Sequence, residues 1–248
     1  DQIALMREAG RVVANALHAV REAAVQGVTL LQLDEIATQV IVDAGAVPVF
    51  RDYHPHFAPV PFPGTICASV NDAIVHGIPG DLVLADGDLL SVDCGANLDG
   101  WVGDSAFSMQ IGGTGPAVDK QLIEDTRTAL KLGIAQAVPG NRMGDIAHAI
   151  GSFARGKGYG MPEGWGGHGI GRVMHEDPPV PNEGIKGKGM KLKAGLVICI
   201  EPMLHLGDDE YTIDSDGWTV RTSDGQRAAH EEHTLAITKN GPVILTHR

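Results

Sequence analysis

The sequence predicts an α+β fold: two pseudo-symmetric halves sharing a curved, mainly antiparallel sheet that helices cover on one face. Three observations carry this. Each half opens with a pair of helix-period runs and continues into strands. The segment "LADGDLLSVD", ending at Asp93, matches "LKAGLVICIE", ending at Glu201, at an offset of 108 residues; helical "LDEIA" (Leu33 to Ala37) matches "MGDIA" (Met143 to Ala147) at 110. A period this long means two related halves of a single domain, about 1–115 and 116–248, rather than a solenoid. Finally, the matching strands are apolar and each closes on a carboxylate.

In chain order, Ile3, Met6, Ala9, Val12, Val13, Leu17 and Val20 recur at helical spacing, and Gly27 separates them from a second periodic run over Leu33 to Ala44. The irregular "FRDYHPHFAPVPFPG" follows. Prolines at 55, 59, 61 and 63 fix φ at four places, so this segment is expected to be a stiff, extended loop anchored by Tyr53 and Phe62. Strands are expected near Ile66–Val70 and Leu89–Cys94, then a hairpin across "NLDG". With Leu98 and Asp99 at the turn centre, Asp93 would face Asp104; with Asp99 and Gly100 there, the two would be diagonal neighbours. Two more helices are expected over 119–157, broken at "VPGN". Glycine-rich "EGWGGHGIGR", a strand at Leu196–Glu201 and a terminal hairpin turning at "SDGQ" and running through "AHEEHTLAIT" complete the chain.

The 248 residues suffice for one large core, and 43% apolar with 20% charged residues is the balance of a soluble globular protein. No run reaches the ~20 apolar residues of a membrane span, and no signal peptide is recognised. With 31 acidic against 19 basic residues, the net charge is −12, which disfavours a nucleic-acid surface and an anionic substrate. Cys67, Cys94 and Cys199 are odd in number and widely spaced. They read as small core residues in a reducing cytoplasm rather than a disulfide framework or a zinc ribbon.

Asp93, Asp104, His168, Glu201 and one of Glu231 and Glu232 lie in strands or glycine-rich loops. Adjacent strand residues point to opposite faces, so only one of the last two can join the others. Singly, each has an ordinary structural explanation. Together they would be four acids in apolar strands with no basic residue beside any of them, and burying an unpaired charge is expensive. Cations resolve the conflict. Two divalent ions cancel four carboxylates, with a neutral histidine as nitrogen donor. Such a ligand set suits Mn, Fe, Co or Zn, and paired ions activate water for hydrolysis.

These segments, "SVNDAIVHGIP", "GGHGIGR", "MHEDP", "CIEPM" and "EEHT", with the D-x10-D hairpin, resemble type I methionine aminopeptidases of the pita-bread fold, in an actinobacterial-like form. The resemblance runs in order along nearly the whole chain. It implies two metal ions: Asp93 chelates one, Asp104 and Glu232 bridge both, and His168 and Glu201 complete the shell of the second. Glu232 is the Glu that precedes His-Thr, which selects it over Glu231. It further implies attack by a bridging water or hydroxide on the peptide carbonyl after the initiator methionine, with Glu201 as proton carrier. His76 and His175 then contact the substrate and stabilise the developing charge. Cys67, Phe62, Tyr53 and Trp218 are implied to line the methionine pocket.

The implied partners are nascent polypeptide N-termini, with the ribosome nearby. Neither a membrane nor nucleic acid is expected, and a monomer is. Two departures from the commoner family pattern concern the pocket rim: the proline-rich segment is several residues longer, and Met174 stands where an aromatic residue is frequent. The rival readings are a proline-specific peptidase of the same fold and a metal-free peptide-binding module. The first usually carries a substantial N-terminal domain; the second would be expected to lose ligands.

Overall fold

A computed structural model describes residues 2–248. Four helices, α1 (Gln2–Ala23), α2 (Leu30–Asp43), α3 (Ala117–Gln136) and α4 (Met143–Gly156), occur in two pairs. The first pair leads into β1 (Val47–Pro48), β2 (Ile66–Val70), β3 (Ala73–Val75), β4 (Leu89–Leu98) and β5 (Trp101–Gln110). The second leads into β6 (Gly166–Gly169), β7 (Glu176–Pro181), β8 (Val197–Ile200), β9 (Met203–His205), β10 (Tyr211–Ile213), β11 (Val220–Thr222), β12 (Ala228–His230), β13 (Glu232–Thr238) and β14 (Gly241–Ile244).

The main sheet has nine strands in the order β1-β4-β5-β13-β8-β6-β7, with β2 added on β4 and β14 on β13, and its pairings are antiparallel. Alternation along β4 decides which face carries chemistry. Leu90, Val92, Cys94 and Ala96 pack beneath α1 and α2, so Asp93 projects from the opposite face. The second helix pair covers its strands in the same way, with Ile146 and Ile150 against Ile198, Ile200, Leu235 and Ile237.

Local chemistry explains the helix positions. Met6, Ala9, Val12, Val13, Ala16, Leu17 and Val20 form the buried stripe of α1. A reciprocal Thr29–Gln32 cap starts α2: Gln32 N donates to Thr29 Oγ1 at 3.2 Å, and Thr29 N to Gln32 Oε1 at 2.9 Å. Helix α1 lies so close to the sheet that a Cβ on Gly103 would stand 2.9 Å from Gly10 Cα. Only glycine permits that crossing.

The central hairpin turns on Asp99 and Gly100, whose φ values are 52° and 78°. Positive φ at both central residues is the two-residue turn whose twist matches paired strands. The register is therefore Leu98↔Trp101, Asp93↔Ala106 and Gly95↔Asp104. Asp93 does not face Asp104; the two are diagonal neighbours on one face, and the facing register is corrected.

Two further expectations are corrected. The "SDGQ" turn joins strands that do not pair: β11 pairs with β10 and β3, and β12 with β9. The closing hairpin is β13–β14, from Leu235↔Ile244 to Thr238↔Gly241. The proline-rich segment is not extended either. Asp52 N donates to Phe62 O and Phe62 N to Tyr53 O, both at 2.9 Å, so its ends meet and it doubles back. Its tip packs on Trp218: Phe57 lies 5.9 Å away ring to ring, and Trp218 Nε1 donates to Val60 O at 2.9 Å. Unpaired aromatic surface and an indole N–H without a partner are both costly, and the fold-back satisfies each.

Candidate metal centre

Three adjacent strands build the floor of the site. Ala106 on β5 is paired with Asp93 on one side and with Glu232 on the other, so these carboxylates share a row across the sheet. Asp104 is two residues along β5 on the same face. Thr234 on β13 fixes its backbone, accepting from Asp104 N at 3.0 Å and donating to Asp104 O at 2.7 Å. Ser105 Oγ donates to Glu232 O at 2.6 Å from the other side. Glu201 follows β8 directly, and His168 comes from β6.

His168 Nε2 lies 3.8 Å from Asp104 Oδ2 and 3.7 Å from Glu201 Oε1. Its Nδ1 is 2.9 Å from the carbonyl of Gly169. A proton on Nδ1 satisfies that carbonyl and leaves the Nε2 lone pair directed at the acids, the usual arrangement of a ligating imidazole. Ligand atoms of Asp104, His168 and Glu232, together with Cys199, all lie within 4.8 Å of one another. Burial pushes the Cys199 thiol well up, and neighbouring carboxylates push it further, so the protonated sulfur packs there as a core residue.

The acids are orphans. Asp104 is 3% exposed and Glu232 1%; one oxygen each of Asp93, Asp104 and Glu232 is buried without a hydrogen-bond partner. Among the described residues no Lys or Arg pairs with any of the four. Burial, reinforced by the neighbouring carboxylates, raises the carboxyls of Asp104 and Glu232 well above the ordinary range. Burial also raises Asp93 and Glu201. Four carboxyls gathered without a Lys or Arg partner among the described residues, with an imidazole nitrogen among them, fit divalent metal ions.

One cavity of about 350 Å³ contains this floor, and all eleven residues singled out in the sequence line it. At its apolar end Phe62 meets Trp218 edge to face at 5.1 Å, beside Cys67 and Met174. His175 lies 4.2 Å from His168 ring to ring, and its Nδ1 is 2.8 Å from the Tyr53 hydroxyl. Burial holds its basicity down to about 3. His76 has φ 60°, rare for a non-glycine residue, and its buried Nδ1 has no partner; burial lowers it to about 4.

Sequence reasoning missed Phe50, Phe57 and Trp165, which complete the wall. Trp165 could have been noticed inside "EGWGGHG", where a large ring is conspicuous among glycines. It also missed His230, whose Nε2 is buried without a partner near Glu201 and Glu232.

A curved antiparallel sheet with an unneutralised acid cluster at an aromatic pocket defines a metal-dependent hydrolase. The model of metallopeptidase family M24 matches residues 4–239. Methionine aminopeptidase 1 of Mycobacterium tuberculosis is 52% identical, over 97% of this chain and 91% of that protein. The crystal structure of methionine aminopeptidase from Thermotoga maritima has a TM-score of 0.94 at 38% identity, covering 100% of this chain and 97% of that one. A prolidase from Pyrococcus furiosus shares the fold at a TM-score of 0.80 and 21% identity, with 64% of its own chain covered. The chain belongs to metallopeptidase family M24, among its methionine aminopeptidases of the pita-bread fold.

Proposed function

We propose that this chain removes the N-terminal methionine of polypeptides whose second residue is small, with Asp93, Asp104, His168, Glu201 and Glu232 holding two divalent ions of the Mn, Fe, Co or Zn type. The observation that carries the reading is the meeting of four acids, three of them with a buried oxygen lacking any partner, and His168 with an apolar aromatic slot in one cavity. Bound cations supply Lewis acidity towards the peptide carbonyl and make water acidic enough to attack near neutral pH.

The chain's own groups do the rest. Phe62, Tyr53, Trp218, Cys67 and Met174 accept the unbranched thioether, which suits a narrow aromatic-walled slot. With the Tyr53 hydroxyl donating a hydrogen bond to His175 Nδ1 at 2.8 Å, the neutral ring would carry its own proton on Nε2. That Nε2–H is a donor for the oxyanion developing on the scissile carbonyl. His76 offers a second imidazole to the substrate from the facing wall. Glu201, at the end of β8 beside His168, is placed to take the proton of the attacking water and pass it to the leaving amine.

On this reading a single catalytic domain of two related halves acts as a monomer on nascent chains in the cytoplasm, close to the ribosome. No helix among the described residues is long and apolar enough to cross a membrane. Turnover of Met-Ala-Ser against Ala-Pro peptides, with metal assayed on the same sample, tests the activity. Cleavage of the first, dependent on divalent metal, is expected. Preference for Ala-Pro would reject the assignment.

A further inference from the structure

His230 ends β12 and is 2% exposed. Its backbone is fixed on both sides: His230 N donates to Ser108 Oγ at 2.9 Å, Ser108 Oγ approaches its carbonyl at 2.8 Å, and it pairs with Met203 across β12–β9. The ring is thereby held between two acids. Nε2 stands 3.4 Å from Glu201 Oε2 and 3.8 Å from Glu232 Oε2.

These separations are long for a charge-assisted hydrogen bond, which closes to about 2.7–2.9 Å, and Nε2 has no partner. Ligands at ~2.1 Å from one ion stand roughly 3–3.5 Å apart. The shorter, 3.4 Å to Glu201, is the separation of side chains that share a cation, and the longer, 3.8 Å to Glu232, lies just outside that range. His168 Nε2 keeps 3.7 and 3.8 Å from its own two acids, so His230 is placed as His168 is, but against the other oxygen of Glu201. Ligand atoms of Glu201, His230 and Glu232 form a group within 4.8 Å of one another, which shares Glu232 with the group that contains His168.

We propose that His230 is a sixth protein ligand of the metal centre, a second imidazole nitrogen facing the cation shared by Glu201 and Glu232. The inference rests on the reading of the acid cluster as a metal site and adds to its donor set. A second nitrogen shifts the preference of the centre towards Co, Fe or Zn and away from Mn, since imidazole suits the former and oxygen donors the latter.

Crystals of the full chain loaded with Co(II) give the direct test, without mutation. Nε2 of His230 within about 2.0–2.3 Å of an anomalous cobalt peak is expected; Nε2 hydrogen-bonded to Glu201 with no cobalt in reach overturns the proposal. In solution, His230→Gln is titrated with Co(II) and with Mn(II). One Co(II) equivalent should weaken by about 10- to 100-fold, with a smaller loss for Mn(II), narrowing the preference between them. Two equivalents bound by wild type and unchanged in His230→Gln would remove His230 alone. No divalent ion bound by wild type would remove the metal centre itself.

Discussion

Arg127 Nη2 donates to Glu231 Oε1 at 2.9 Å, while Glu232, the next residue, is buried with no Lys or Arg partner among the described residues and one oxygen without a hydrogen bond. The contrast follows from strand alternation. Glu231 points to the helix face, where α3 supplies an arginine and Ser108 N a further donor at 3.2 Å. Glu232 points to the cavity, where its neighbours are Asp93, Asp104 and Glu201. Two adjacent acids thus have different fates, and only the unpaired one belongs to the metal reading.

His175 is expected to act on the transition state and not on the metals. His175→Ala should lower kcat by about 10²–10³-fold, the loss typical of one oxyanion donor, with metal stoichiometry unchanged. Tyr53→Phe removes the hydroxyl that fixes the ring's tautomer and should cost less, mostly in kcat. Loss of metal from either variant, measured by elemental analysis, would contradict these roles.

How much of this was legible in the sequence differs by level. The helices and the D-x10-D hairpin rest on periodicity and spacing, which are local signals; the acids and His168 stood out by their strand and loop setting, whereas His76, His175, Cys67, Phe62, Tyr53 and Trp218 came from the family resemblance. The hairpin register was not legible, because it depends on whether Asp99 adopts positive φ, a choice that twist and pairing make together. The "SDGQ" turn misled for a related reason. It has good turn chemistry, but its flanking strands find partners other than each other, β10 and β3 for β11 and β9 for β12. His230 was hidden in "AHEEHT", where strand alternation would put it on the same face as Glu232; its orphaned nitrogen is visible only in three dimensions.

The proline-rich loop is expected to shape substrate selection. Phe57 and Val60 hold the outer side of Trp218, and the hydrogen bonds between Asp52, Tyr53 and Phe62 already close its base. Replacing His54 to Pro61 by a short glycine-containing turn should raise KM and relax the preference for methionine over leucine or norleucine, with metal content unchanged. Unchanged KM and selectivity would show that the loop is not part of the pocket.

A stability effect is expected at a buried acid outside the metal-binding cluster. Asp34 on α2 accepts from Thr65 N at 2.7 Å and Ile66 N at 2.9 Å, tying the helix to β2. Burial raises its carboxyl despite these bonds. The folded chain therefore holds that proton to higher pH than the unfolded chain, whose value is near 3.8. This group's contribution to stability is greatest below that value and falls as pH rises through the folded one. Asp34→Asn, with an amide oxygen still able to accept, should flatten the fall. Parallel urea titrations across pH 3.5–6 would detect it; identical pH slopes in the two proteins would contradict the shift.

On the proposed function a small second residue is expected to be preferred, because Trp165, His76 and His175 crowd the cavity beside the acids. Met-Gly, Met-Ala and Met-Ser peptides should be cleaved much faster than Met-Leu or Met-Lys. Equal kcat/KM across that series would indicate a general aminopeptidase.

The central claim is that the unpaired acids are a cation site on which hydrolysis depends, and Asp104→Asn tests it most directly. The substitution removes one charge while nearly keeping the shape of a residue placed diagonally to Asp93 and facing His168. Bound metal and Met-Ala-Ser turnover are measured on the same preparations of wild type and variant. The account predicts that both fall together in the variant, and that chelation abolishes the wild-type rate. Full turnover by metal-stripped Asp104→Asn protein would contradict it.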